Sequence, residues 1–149
     1  MAARMANEGK SMLEIQEALD DLRSRTFVTA GLNTLEFLRR SGRMNRFMTG
    51  IGSLIKLKPI LTMKDGLPGS DRVRTSIRAE KRLISLLEEN LPIEKFALVH
   101  TNAQNKAEAF KKKIEKYLPE GVVYSMDITP VIGAHLGPGA VGFAVVKKA

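Results

Sequence analysis

The 149-residue sequence has no cysteine and no tryptophan, only two tyrosines, and only two histidines, His100 and His135. Without cysteine there can be no disulfide, thiolate metal site, iron–sulfur cluster or cysteine nucleophile. Two histidines are little material for a metal centre, so no metal site is expected. No apolar run approaches the roughly 20 residues of a membrane-spanning helix, and the first residues, MAARMANEGK, have no apolar signal-peptide core. A soluble, cytoplasmic protein without a membrane span is the expectation. The usual enzymatic signatures are missing too: there is no GxxxxGK[ST], GxSxG or HExxH. Gly50-Ile51-Gly52 is a bare GxG that does not follow a predicted strand. Catalysis by this chain alone is not expected.

Acidic residues are scarce relative to basic ones, 16 against 24, for a net charge of +8. The excess is local. Between Arg39 and Arg82, twelve basic residues face only Asp65, Asp71 and Glu80, a local charge of +9. Such a patch suits a phosphate, a carboxylate, nucleic acid or an acidic protein, or is simply a solvated face. Apolar residues make up 44% of the chain, enough for a packed core, and the length is one domain's worth.

Ser11-Met12-Leu13-Glu14 has capping-box spacing and predicts a helix over 12–24, with Met12, Ile15, Leu19 and Leu22 on one face. A strand follows over 27–32. Asn33-Thr34-Leu35-Glu36 repeats the capping pattern before a short helix that Gly42 ends. Asn45 begins another helix, with Phe47, Ile51 and Leu54 on one face. Residues 58–63 are strand-like, Pro59 placing an irregularity or an edge at the start. Asp65-Gly66 signals a turn, with a further strand near 72–75. A helix over 76–90 turns Ile77, Leu83, Ile84, Leu87 and Leu91 inward. After a strand over 96–99, Thr101 or Asn102 caps a helix with an Ala103, Ala107, Phe110, Ile114, Tyr117 stripe. The lysines on its other face, Lys106 among them, read as solvated surface. Strands over 122–128 and 140–146 are joined through a loop over 129–139. The interleaving predicts an α/β fold with a mixed sheet packed by helices.

His135-Leu136-Gly137-Pro138-Gly139 is the segment best suited to chemistry. Two glycines around a proline allow a tight loop with close backbone approach, and an imidazole at its rim can donate to a carboxylate or pair with it. The alternative is a strand connection with an ordinary surface histidine. His100, at a strand end, has nothing beyond that plainer reading.

Four blocks in order carry a family resemblance. Residues 128–146, ITPVIGAHLGPGAVGFAVV, resemble the closing block of the DegV family of fatty-acid-binding proteins. LNTLEFLRRSGRM (32–44), IGSLIKLKPILTMKDG (51–66) and DRVRT (71–75) are similar to its preceding blocks. The resemblance reaches only the family's C-terminal half. It implies lead-in helices over 1–26, a DegV-type C-terminal α/β domain over 27–149, and the absence of the N-terminal domain that encloses lipid. A truncated or proteolysed product is therefore expected, with Met1 internal to a longer protein.

The resemblance implies a long-chain fatty acid as ligand, with no cofactor. It further implies presentation of the carboxylate to an ATP-binding fatty acid kinase that makes the acyl phosphate, so that catalysis resides in the partner. By motif, His135 would bond the carboxylate or a neighbouring hydroxyl, and the Gly137-Pro138-Gly139 loop would let backbone come close. Arg43 and Arg74 would stand near the carboxylate–phosphate end, where a guanidinium fork meets two oxygens at once. Phe47, Ile51 and Leu54 line the acyl chain or pack the core. Two other functions compete. A nucleic-acid-binding module would use the basic patch but has few aromatics for base stacking. A subunit of a dihydroxyacetone-kinase-like small-molecule kinase would share the fold. No nucleic-acid partner is expected.

Overall fold

The computed structural model describes residues 1–44 and 57–149. The helix predicted from Asn45, with Phe47, Ile51 and Leu54, lies outside the described residues. Two helices, α1 (Ala2–Asn7) and α2 (Met12–Arg25), lead into the sheet. The capping box of α2 forms: the Ser11 hydroxyl accepts from the Glu14 amide at 3.3 Å, and the Glu14 carboxylate accepts from the Ser11 amide at 2.8 Å. The Ser11 amide, helped by the Lys10 ammonium, holds the Glu14 carboxyl down to about 2. Arg25 moors the end of α2, donating to the Lys147 carbonyl at 2.6 Å and pairing with Glu94 at 2.8 Å. The predicted inward stripe is not buried: Met12 is 80% exposed and Leu19 39%.

The sheet has six strands: β1 (Thr26–Gly31), β2 (Lys58–Lys64), β3 (Leu67–Val73), β4 (Ile93–His100), β5 (Tyr124–Asp127) and β6 (Val141–Lys147). Their order is β3-β2-β1-β6-β4-β5, with β4 and β5 parallel and every other pair antiparallel. The expected mixed α/β sheet is therefore present. Asp65 and Gly66 both have positive φ, 50° and 76°, as a two-residue hairpin turn requires. That turn fixes β3 from Leu67 onward, earlier than the 72–75 predicted. Pro59 opens an interior strand rather than an edge. It sits one residue past the Gly31↔Ile60 pair, so its missing N–H falls where the ladder with β1 is ending.

One face of the sheet carries α4 (Ser76–Glu88) and α5 (Gln104–Ile114). Alternate residues of the strands point at them. Ile60, Leu98 and Phe143 are fully buried against Leu87 and Ile114, and the Phe96 ring stacks on Phe143 at 5.8 Å between centroids. Ile77, predicted to face inward, is 71% exposed because it stands in the first turn of α4, ahead of the Leu83–Leu86–Leu87 stripe.

The opposite face is covered at one end only. There α3 (Glu36–Arg40) and α6 (Pro130–Leu136) pack together over Ala30, Leu61 and Ala140. The helix α6 corrects the loop expected over 129–139. Thr129 stands at its N-cap with Pro130 in the first turn, where a missing N–H costs nothing. Nor are the strands on either side of it neighbours, since β4 lies between β5 and β6. Among the described residues, nothing beyond α3 and α6 covers this face.

Candidate functional site

Strand register places the sequence-predicted residues at one end of the sheet. Gly31 pairs with Ile60 and Val141, Lys58 with Val73, and His100 with both Val141 and Asp127. Residues just outside those pairs, Asn33, Arg74, Thr101 and Gly139, therefore share that end.

The 137–139 loop is fastened rather than free. The Thr101 hydroxyl donates to the Gly137 carbonyl at 2.6 Å and accepts from the Ala140 amide at 2.9 Å. The Thr101 carbonyl accepts from the Gly139 amide at 2.7 Å. Asn33 Nδ2 donates to the Pro138 carbonyl at 3.2 Å, and the Lys106 ammonium donates to the Gly139 carbonyl at 2.9 Å. Both glycines have positive φ, and each approaches another part of the chain closely. A Cβ at Gly137 would lie 2.2 Å from the Phe37 ring, and one at Gly139 2.1 Å from Asn33 Nδ2.

These bonds redirect three sequence expectations. Asn33 does not cap α3; Leu35 occupies that position without a side-chain bond. Neither Thr101 nor Asn102 caps α5: Ala103 does, its amide donating weakly to His100 Nδ1 at 3.4 Å. Lys106 is not a purely solvated lysine, because it reaches the Gly139 carbonyl and Asn33 Oδ1. Thr101, Asn33 and Lys106 were missed as site residues. Their sequence signal, polar residues flanking strand ends, looks the same as helix capping.

His135 lies in the last turn of α6, half-buried, and its Nδ1 is buried with no hydrogen-bond partner among the described residues. A buried ring nitrogen without a partner is unusual and marks a place where another polar group fits. The same helix turns Ile132 and Leu136 toward an apolar trough of about 510 Å³ on the bare face of the sheet. Its floor includes Val28, Ala30, Leu61, Met63, Val99 and Met126. Val28, Met63 and Met126 are 37%, 38% and 51% exposed. Met63 on β2 and Met126 on β5 are four strand spacings apart, about 19 Å.

Arg43 and Arg74 are exposed and form no ion pair among the described residues. Arg43 follows α3, which packs on α6, so it stands on the same corner as His135. Arg74 follows β3, three strand spacings from β6, roughly 14 Å away. The structure thus groups His135, the 137–139 loop and the α3 corner, and sets Arg74 apart along the same rim. Arg72 pairs with Pro59 and shares its face with Leu61 and Met63, which puts this arginine on the trough side. Three cations of the patch are paired: Arg39 and Arg40 share the one carboxylate of Glu36, which they hold below its usual value, and Arg82 pairs with Asp71 and Glu89. Among the described residues no group of His, Asp or Glu could hold a metal ion, and no helix is long and apolar enough to cross a membrane.

Residues 1–148 match the family model described as "Uncharacterised protein, DegV family". A DegV domain-containing protein of Listeria innocua is 34% identical over 145 residues, covering 95% of this chain and 51% of that protein. Among solved structures, a fatty acid binding DegV family protein from Streptococcus agalactiae matches with a TM-score of 0.84 at 28% identity, over 99% of this chain and 54% of its own. DegV, a fatty acid binding protein from Bacillus subtilis, matches with a TM-score of 0.82 at 29% identity, again over 99% and 54%. The chain spans about half the length of these relatives. With 148 of its residues matched to the family model and its sheet superposed on solved members, the chain belongs to the DegV family.

Proposed function

We propose that this chain forms one wall and the carboxylate end of a long-chain fatty-acid site. The observation that carries the reading is the apolar trough, bordered by the helix whose last turn holds His135 with its unpartnered Nδ1. An acyl chain laid across the trough replaces water over Val28, Met63 and Met126. Its carboxylate then comes to the rim where His135 can bond one oxygen. A second unit closing over the trough would complete the enclosure, consistent with relatives of about twice this length.

The chemical role is presentation to a separate ATP-dependent kinase. A carboxylate oxygen attacks the γ-phosphorus of ATP, a new P–O bond forms, the bond to the bridging oxygen breaks and ADP leaves. Two anions must approach each other, and guanidinium groups at the rim reduce that repulsion and stabilise the transferring group. Arg43, Arg72 and Arg74 stand at this end, uncompensated by carboxylates. The chain itself contributes binding and orientation.

The test is titration with a fluorescent long-chain fatty acid. Saturable binding is expected, weakened about tenfold by His135→Ala, the loss of one hydrogen bond to a charged group. Lipid binding that is absent, or indifferent to His135, overturns the reading. Where the kinase is supplied with a longer DegV protein carrying these residues, Arg74→Ala should spare lipid binding and cut acyl-phosphate formation. Unchanged turnover would remove Arg74 from the mechanism.

A further inference from the structure

A second cavity lies behind the 137–139 loop, on the sheet face that carries α4 and α5. It measures about 200 Å³ and is bordered by Lys58, Lys106 and Lys113, with Leu83, Phe110 and Val141 as an apolar floor. The Lys58 ammonium donates to the Asn33 carbonyl at 3.0 Å. The Lys106 ammonium donates to the Gly139 carbonyl at 2.9 Å and to Asn33 Oδ1 at 3.3 Å. Both partners are neutral. Among the described residues, of these three only Lys113 has a carboxylate partner, Glu80, at 2.7 Å. Three ammonium groups and one carboxylate leave a local charge of +2 around one small concavity. Each ammonium has three N–H donors, so Lys58 retains two and Lys106 one. Ser76 and Ile77, the first residues of the 13-residue α4, also border the cavity, so the positive end of that helix lies beside it.

The crowding has a measurable electrostatic consequence. Burial holds the Lys106 ammonium below the ordinary lysine value, and the neighbouring Lys58 charge adds to that, with Glu80 opposing. Glu80 also lines the cavity but is paired with Lys113, so the like charges of Lys58 and Lys106 facing the concavity are stabilised by an anion there. A doubly charged group matches the excess of two, and the apolar floor accommodates a short carbon body.

We propose that this cavity binds a small phosphate monoester, its phosphoryl group between Lys58 and Lys106 and its carbon body against Leu83, Phe110 and Val141. The site is separate from the fatty-acid trough. It lies on the reverse side of the loop, and its assignment does not depend on lipid binding. Lys106, which lines this cavity, also holds the Gly139 carbonyl of the loop.

The experiment is calorimetric titration of the 149-residue chain, without lipid, with glycerol 3-phosphate, inorganic phosphate and acetate at low salt. Saturable binding of glycerol 3-phosphate is expected, with inorganic phosphate weaker for want of the floor and acetate at least tenfold weaker than the ester. Lys106→Met and Lys58→Met should each weaken the ester at least tenfold with an unchanged circular dichroism spectrum. Should Lys106→Met unfold the chain, Lys58→Met carries the test. Lys81→Ala and Lys112→Ala, exposed lysines of the same two helices, should leave binding unchanged. Absence of binding, acetate binding as tightly as the ester, or equal weakening by the Lys81 and Lys112 variants would overturn the proposal.

Discussion

If the acyl chain lies in the trough, affinity must rise with chain length by an amount set by how much of each methylene leaves water. A fully buried methylene contributes about 0.8 kcal/mol. The trough has a floor and one flank, formed by the sheet and α6, so about half of each methylene is covered and the gain falls to roughly 0.4 kcal/mol. Each two-carbon extension should then strengthen binding by about 0.8 kcal/mol, close to fourfold. Full enclosure would instead give about 1.6 kcal/mol, or roughly fifteenfold. For a sixteen-carbon chain the half-covered sum is about 6 kcal/mol, while association itself costs at least 4 kcal/mol. Nanomolar binding, which needs about 12 kcal/mol net, is out of reach for this chain alone.

The assay is equilibrium dialysis of the ten-, twelve- and fourteen-carbon acids, each below its micellar concentration, against wild type and Val28→Asp. Val28 is 37% exposed, so the substitution should change folding stability by about 1 kcal/mol or less. It places a carboxylate on the path of the acyl chain, and both affinity and the length dependence should fall. A flat length series, or a slope that Val28→Asp leaves intact, would show that the acyl chain lies elsewhere. Nanomolar affinity for palmitate would refute the half-covered geometry itself.

Other consequences are more local. Thr101→Val removes the hydroxyl shared by the Gly137 carbonyl and the Ala140 amide, both buried. Two unpaired backbone groups should cost about 2–4 kcal/mol in urea unfolding, and a change under 0.5 kcal/mol would mean water takes over both. Leu98→Ala, at a fully buried position beneath α5, should cost about 2–5 kcal/mol by the same assay. Gly137→Ala puts a methyl 2.2 Å from the Phe37 ring at φ +74° and should displace the His135-bearing end of α6, weakening lipid binding; full affinity would refute that coupling. The Glu14 carboxyl should titrate in NMR with a midpoint near 2 instead of 4.5. Its folded value is depressed, so its stabilisation is full above the unfolded value and is lost as pH falls through the folded one. Lys10→Ala should raise the midpoint only part of the way toward 4.5, because the Ser11 amide bond stays in place, and a full return to 4.5 would assign the shift to Lys10.

Features set by adjacent residues were legible in the sequence. The capping box at Ser11 and Glu14 and the Asp65-Gly66 turn need only neighbours, and both form. The Ala107–Phe110–Ile114 stripe of α5 also lies inward, as its helical spacing required. What failed depended on distant partners. The seven-residue α6, with a proline and a glycine, has too little intrinsic propensity to stand alone, and its packing on α3, at least 90 residues away, cannot be read from spacing. The polar groups of Asn33, Thr101 and Lys106 could equally have capped helices or faced water, and register decided otherwise by bringing three chain segments to one corner. His135 was legible as a candidate from its glycine-flanked loop, but its unpartnered nitrogen could be seen only with the surrounding atoms placed.

The bare sheet face ties these observations together. Strands β1 and β4 carry apolar residues on both faces, Phe27 and Leu98 toward the helices, Val28 and Val99 away from them. Strands of that kind are normally covered on both sides, yet among the described residues only one side has helices along its length. The second face is flat as well as apolar, because Ala97, Gly142 and Ala144 project little above it. A close-fitting layer is therefore missing where a long, thin, flexible hydrocarbon would pack without a cavity. An acyl chain in that position acts as part of the core, so its binding free energy is also folding free energy. Lipid should accordingly raise the midpoint of thermal unfolding in proportion to chain length, and the His135 end of the trough should be ordered by the same event.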